Sequence, residues 1–254
     1  PSTPEGYDIR VVRSKDRGVT WSMPISPHRD GTNTQHGFVS MIATGDDRVL
    51  MAWLDGRRAA SPANDPSDHS AHDHESAPMT LRSAVLNRAN QVTEELEIDE
   101  KTCSCCQTDM ARWADQTLIV YRDRTDDEIR DISVARRSAI RWGSPTVIHH
   151  DGWKIEGCPV NGPAIAVGSR KGLVFWPTFV NEQMTLRYVV AESPEALANG
   201  SRMNQLKLPA SPSGRVDTAA LHDGFLLTWI SRARDRPAVE VAVLDADDQV
   251  AFGT

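Results

Sequence analysis

The chain has no apolar run approaching the roughly 20 residues of a membrane-spanning helix, so no transmembrane segment is expected. Positive charge is not in excess either: 28 Lys and Arg stand against 35 Asp and Glu, a formal net charge of −7. That balance removes any general electrostatic reason to bind nucleic acid or an anionic membrane. Tyrosine is scarce, with only Tyr7, Tyr121 and Tyr188, and there are four cysteines. No signal peptide stands at Pro1, where the chain opens inside what reads as the third strand of a repeat unit. The reading is of a mature or truncated product whose leading strands, and any export signal, lie upstream. With 254 residues it can bury a sizeable core, and its internal repeats argue for one domain over residues 1–254.

One stretch prescribes a turn. Ser14-Lys15-Asp16-Arg17-Gly18-Val19-Thr20-Trp21 follows a short strand-like run and precedes a Pro-punctuated extended segment. Asp16 can accept hydrogen bonds from turn N–H groups, Gly18 can take positive φ, and Trp21 can pack back under the loop as a plug. Repeats follow. Trp21-x-x-Pro24-x-x-x-His28-x-Asp30-Gly31 recurs as Trp142-x-x-Pro145-x-x-x-His149-x-Asp151-Gly152, and Met79-Thr80-Leu81-Arg82 as Met184-Thr185-Leu186-Arg187. Apolar runs end in Trp53, Tyr121, Trp176 and Trp229, spaced 68, 55 and 53 residues apart. That period fits four-stranded propeller blades joined by loops.

The S-x-D-x-G-x-T-W stretch (Ser14, Asp16, Gly18, Trp21) resembles the Asp-box of the sialidase-like, or BNR repeat, β-propellers. The phrases Cys103-Ser104-Cys105-Cys106-Gln107-Thr108-Asp109, Trp53-Leu54-Asp55-Gly56-Arg57 and Gly157-Cys158-Pro159-Val160-Asn161-Gly162-Pro163 resemble those of an exported bacterial group within that fold. The resemblance implies an all-β fold of four-stranded antiparallel blades in a family of six-bladed propellers, with about four and a half blades present. Residues 7–29 read as the last two strands of an incomplete blade. Residues 36–99 make a full one, with strands His36–Thr44, Arg48–Arg57, Met79–Leu86 and Val92–Ile98 and a His-rich insertion at 58–78. Blades at 106–150, 159–209 and 215–254 complete the chain.

Propeller geometry sends the loops between second and third strands, and those between blades, to one face. There the sequence places Asp55-Gly56-Arg57, the His-rich insertion, 122–131, 231–236, His28–Asp30, Gln35-His36, Cys103–Asp109, His149–Pro163 and Gly214–Asp217. Such a funnel of arginines and carboxylates suits an acidic carbohydrate or another anionic small ligand, with Arg57, Arg122, Arg130, Arg187 and Arg215 as substrate-binding candidates. By resemblance Arg57 matches the family's early active-site arginine, and Asp65, Asp68 or Asp73 stand where its acid/base Asp would. Arg130, Arg187 and Arg215 could make up a triad. The family's arginine-isoleucine-proline motif is absent, and no tyrosine sits in an evident nucleophile context; Tyr121 matches Trp53, Trp176 and Trp229 and reads as core.

An even cysteine count, with Cys158 in a separate loop from Cys103, Cys105 and Cys106, permits two disulfides between adjacent blades and hence an exported protein, periplasmic or extracellular. In a reducing compartment the cluster would suggest a metal, but adjacent Cys105 and Cys106 suit tetrahedral chelation poorly. Within the insertion, His69, His72 and His74 form a candidate copper or zinc site. His28 and His149, at matched repeat positions, suggest a structural role in blade closure. The functional expectation is an exported sialidase-like propeller that binds an acidic glycan, with hydrolysis as a glycoside hydrolase left open. The alternative is a non-enzymatic periplasmic propeller that binds a metal or a partner protein.

Overall fold

A computed structural model describes residues 6–45, 47–59, 78–197, 201–208, 211–233 and 236–252. The chain divides into two compact units, Pro1–Ser104 and Cys105–Thr254. Both are built from antiparallel sheets whose strands pair in chain order, apart from one short strand of the second unit. Among the described residues no helix is long and apolar enough to cross a membrane.

The first unit opens with the hairpin that the Ser14–Trp21 turn predicts. Val11 and Ile25 exchange both backbone hydrogen bonds, at 2.8 and 3.0 Å. Ser14 Oγ accepts from the Gly18 N–H at 2.7 Å and Asp16 Oδ1 from the Thr20 N–H at 2.9 Å. Arg17 (φ 59°) and Gly18 (φ 92°) carry the left-handed corner. The hydroxyl and N–H of Thr20, with the Ser14 hydroxyl, hold the Asp16 carboxyl down at about 2. Two expectations need correction here. Residues 7–29 form only isolated bridges rather than two strands, and Trp21 is 61% exposed instead of plugging the turn from beneath. Its indole lies beside Gly18.

β1 (His36–Gly45), β2 (Arg48–Asp55), β3 (Met79–Leu86) and β4 (Val92–Thr102) then form one sheet. The sequence boundaries hold within a few residues. β2 is apolar from Val49 to Leu54 and is buried from Leu50 onward, which requires cover on both faces of the strand.

In the second unit β5 (Asp109–Trp113), β6 (Gln116–Arg122), β7 (Ile132–Ser138), β8 (Arg141–Trp142) and β9 (Thr146–His149) form a sheet in which both short strands pair with β7. Next come β10 (Ala164–Val167), β11 (Gly172–Val180), β12 (Gln183–Ala191) and β13 (Met203–Gln205). The last sheet is β14 (Pro212–Leu221), β15 (Gly224–Ala233), β16 (Arg236–Asp245) and β17 (Val250–Phe252).

The opening strands of the three sheets lie together, β10 packing against β5 and against β14. Between the sheets sit two apolar layers. Strand alternation sends Val174 and Trp176 of β11 into one and Leu173 and Phe175 into the other. The run-ending aromatics Trp53, Tyr121, Trp176 and Trp229 are all buried, as their repeat positions require, and so is Tyr188.

Candidate functional site

The repeated H-x-D-G phrase has a structural meaning that is clearest in the second unit. His149 Nδ1 meets Asp151 Oδ1 at 2.7 Å, Trp176 Nε1 donates to Asp151 Oδ2 at 2.7 Å, and Arg187 pairs with the same carboxylate. The loop that follows one sheet thus clasps the second and third strands of the next. Burial pushes the Asp151 carboxyl up, but the bonds from Trp176 and Arg187 and the Arg187 charge outweigh it and hold the group low. Asp131 goes the other way. Burial and the Asp151 charge raise it, against the N–H bonds from Gly152 and Trp153.

The first unit departs from this pattern at one position. Two residues after Trp176 stands Thr178, whereas two residues after Trp53 stands Asp55, and Trp53 Nε1 donates to Asp55 Oδ2 at 2.8 Å. Arg57 locks that carboxylate from the other side: its N–H and Nε reach Oδ1 at 3.0 and 2.8 Å, and a terminal nitrogen reaches Oδ2 at 2.8 Å. The intervening Gly56 lies where a Cβ would come within 2.9 Å of the Gln35 carbonyl oxygen.

Asp30, relieved of the tryptophan, keeps His28 at 2.9 Å and turns its other oxygen toward His36 Nε2 at 3.3 Å. His36 stacks flat on His28, with ring centroids 3.7 Å apart. It is buried with neither ring nitrogen hydrogen-bonded, and His28 Nε2 likewise makes no hydrogen bond, its nearest carboxylate being Asp8 at 3.7 Å. Burial would raise Asp30 and Asp55. Bonds from Thr32 and His28 to the first, and from Arg57 and Trp53 to the second, prevail and hold both carboxyls well below the usual range.

A second constellation forms where the opening loops of the three sheets of the second unit meet. The disulfide Cys105–Cys158 ties two of them. Gln107 Nε2 donates to the Val216 carbonyl at 3.0 Å, and the Arg215 N–H reaches Asn161 Oδ1 at 3.4 Å. The glycines are dictated by this closeness: a Cβ on Gly162 would lie 2.0 Å from the Gln107 carbonyl, and one on Gly214 (φ 104°) 1.7 Å from Asn161 Oδ1.

At the centre is Asp109, whose Oδ2 accepts from the Ile165 N–H and whose Oδ1 accepts from the Met110 N–H, both at 2.8 Å. Burial pushes its carboxyl up to about 6; the two N–H bonds oppose the shift and the nearby Asp217 charge adds to it.

The arginines expected to face a ligand are mostly committed inside the protein. Arg122 is a correction: it is 1% exposed, donates to the carbonyls of Asn161 (2.8 Å), Pro177 (2.6 Å) and Arg130, and stacks 4.7 Å over Trp153. Arg130 is buried against Glu128, Arg187 holds Asp151, and Arg57 bridges Asp55 and Glu95. Arg215 alone of the five is exposed, with positive φ on β14.

The two-disulfide expectation is also corrected: among the described residues only Cys105–Cys158 forms, and Cys103 and Cys106 are buried thiols. Asp65, Asp68 and Asp73, and the metal candidates His69, His72 and His74, lie outside the described residues. The sequence reading placed Asp30, His36, Asp55, Asp109 and Asp217 in face loops but gave none of them a role. Asp55 had a visible signal in its break from the repeat, whereas the perturbation of Asp109 comes from burial first and from the Asp217 charge second, both set by the fold.

No family model matches the chain, and no curated protein does. Solved structures do match. Zg3597, a family 117 glycoside hydrolase from the marine bacterium Zobellia galactanivorans, is 13% identical, with 86% of this chain and 69% of that one covered at a TM-score of 0.52. CoXyl43, a family 43 β-xylosidase/α-arabinofuranosidase from a compost microbial metagenome, is 12% identical over 85% of this chain and 76% of that one, at 0.46. The likeness is one of fold. The all-β architecture of four-stranded antiparallel sheets has propeller-fold glycoside hydrolases as its structural neighbours.

Proposed function

We propose that this chain is an exported, glycoside-hydrolase-like propeller protein that binds an acidic carbohydrate at the loops around Asp109, with Asp109 as proton donor to the glycosidic oxygen. The observation that carries this reading is the convergence of three sheet-opening loops on one half-buried carboxyl, fixed by two backbone N–H groups. A carboxyl protonated up to about pH 6 can give its proton to a leaving group near neutrality. Asp217, the neighbouring carboxylate exposed on β14, is the second acidic group that such chemistry uses, and exposed Arg215 is the cation to meet a ligand carboxylate.

Among acidic sugars a sialoside is the first class to test, because the Ser14–Trp21 stretch resembles an Asp-box, a reading that the acceptor roles of Ser14 and Asp16 in the turn support. Tyr121 and Tyr188 are buried and the exposed Tyr7 belongs to the first unit, so the chemistry is assigned to carboxylates rather than to a tyrosine nucleophile. The Cys105–Cys158 disulfide supports an oxidising compartment, periplasmic or extracellular.

The test is a panel of fluorogenic glycosides with and without a carboxylate, run beside binding to acidic oligosaccharides. Turnover of a carboxylate-bearing member is expected, reduced about 10²–10⁴-fold in Asp109→Asn and with a raised KM in Arg215→Ala. Binding without turnover would remove the catalytic half of the proposal, and no binding to any acidic sugar would remove the whole.

A further inference from the structure

The first unit carries a second site that owes nothing to the glycan reading. We infer that His36, Asp30 and Asp55 form a binding site for one divalent cation of the zinc class. One donor atom from each of the three lies within 4.8 Å of the others. His36 Nε2 is 3.3 Å from Asp30 Oδ2 and 3.7 Å from Asp55 Oδ2. Neither contact makes a hydrogen bond, and neither ring nitrogen of this buried imidazole has a hydrogen-bond partner. A buried donor or acceptor left unpaired costs about 1–3 kcal/mol, and a cation on Nε2, the ring nitrogen that faces both carboxylates, would remove that cost there. The separations identify the cation. Ligands about 2.0–2.2 Å from a tetrahedral zinc are about 3.3–3.6 Å from one another, close to the two observed edges and longer than a direct hydrogen bond.

Neighbouring groups are arranged as outer-shell partners of a metal. His28 and Thr32 bond Asp30, and Trp53 and Arg57 bond Asp55, which fixes each carboxylate's orientation. Arg57 touches Asp30, Asp55 and Glu95, and Arg82 shares Glu95 with it, so three carboxylates stand against two guanidinium charges and an added dication meets a net negative site. His28 is not assigned as a ligand of this set: its ring stacks parallel on that of His36, its Nδ1 is on Asp30, and its Nε2 faces the Asp8 carboxylate at 3.7 Å. Three protein ligands would leave a fourth position for water or an incoming oxygen ligand, the arrangement of zinc sites that act on a bound molecule. Among its described residues the second unit has no such set. At the equivalent of Asp55 it has Thr178, and Asp151 remains tied to Trp176 and Arg187.

Zinc alone, titrated into the chelator-treated full chain, tests this by metal analysis after equilibrium dialysis. The variant with His69, His72 and His74 all replaced by Ala is the reference, so that the insertion cannot supply the signal. Retention of one zinc per chain by this variant is expected, with affinity weakened at least about 100-fold in both His36→Gln and Asp30→Asn; outer-shell changes alone cost about 10–100-fold. Should either substitution prevent folding, the cobalt-loaded reference protein decides by its absorption. Visible d–d bands without a thiolate-to-cobalt charge-transfer band support the nitrogen and oxygen donor set. Failure of the reference protein to retain zinc, zinc affinity unchanged in both variants, or a thiolate band that places the metal on Cys103 or Cys106 would each overturn the inference.

Discussion

Asp109 offers the sharpest test of the electrostatics, because its linkage to folding has a definite sign and size. Its carboxyl titrates at about 6 in the folded protein against 3.8 for an unperturbed Asp, so the native state holds the proton more tightly than the unfolded chain. The folded state therefore binds more protons between about pH 4 and 6. Stability falls as pH rises through that window and levels off above it. A displacement of about two units corresponds to about 3 kcal/mol lost at pH 8, of which roughly 0.5 kcal/mol is already present at pH 4.

Asp109→Asn removes the titration. It also turns one amide nitrogen toward a backbone N–H that now has no acceptor, at a pH-independent cost of about 1–3 kcal/mol. The quantity to measure is thus the change with pH in the stability difference between variant and wild type. Urea unfolding at several pH values should show the variant gaining about 2–3 kcal/mol on the wild type between pH 4 and 8, whatever its starting offset. Parallel profiles for the two proteins would refute both the assigned burial of a charge-averse carboxyl and the basis for Asp109 as a proton donor.

Arg122→Ala removes donors from three buried carbonyls and the cover of Trp153, so it should cost at least about 3 kcal/mol; a loss below about 1 kcal/mol in denaturant unfolding would show the clamp to be idle. Cys105→Ser opens a loop of sequence separation 53, worth about 4 kcal/mol by chain entropy. Reduction of the wild type should produce the same fall in midpoint, and a variant as stable as the oxidised wild type would count against the bond. Trp176→Phe deletes the donor to Asp151 and should cost about 1–3 kcal/mol, with most of that cost gone when Asp151 is already Asn. Full additivity in the double-mutant cycle would mean that the two do not interact.

The strands of both units were legible in the sequence because their information is local. Runs such as Leu50–Leu54 and Leu173–Trp176 are apolar without interruption and bounded by turns, and the repeated spacing of their terminal aromatics counts the sheets. The Ser14–Thr20 turn was equally legible, since its hydrogen bonds lie within five residues of one another. Arg122 was misjudged for the opposite reason. An arginine after a strand looks like a ligand contact until the chain folds, and only then do the carbonyls of Asn161 and Pro177, 39 and 55 residues away, take up its guanidinium.

The sequence by itself determined the sheets, their order and the loops that carry polar residues, because alternation, turn chemistry and repeat period are properties of neighbouring residues. Tertiary structure alone decided which of those polar residues matter. Burial raises Asp109, the loss of one indole bond turns Asp30 toward His36, and the pairing of Cys105 with Cys158 leaves Cys103 and Cys106 as thiols. Those outcomes depend on distances between residues far apart in the chain, which no local pattern encodes.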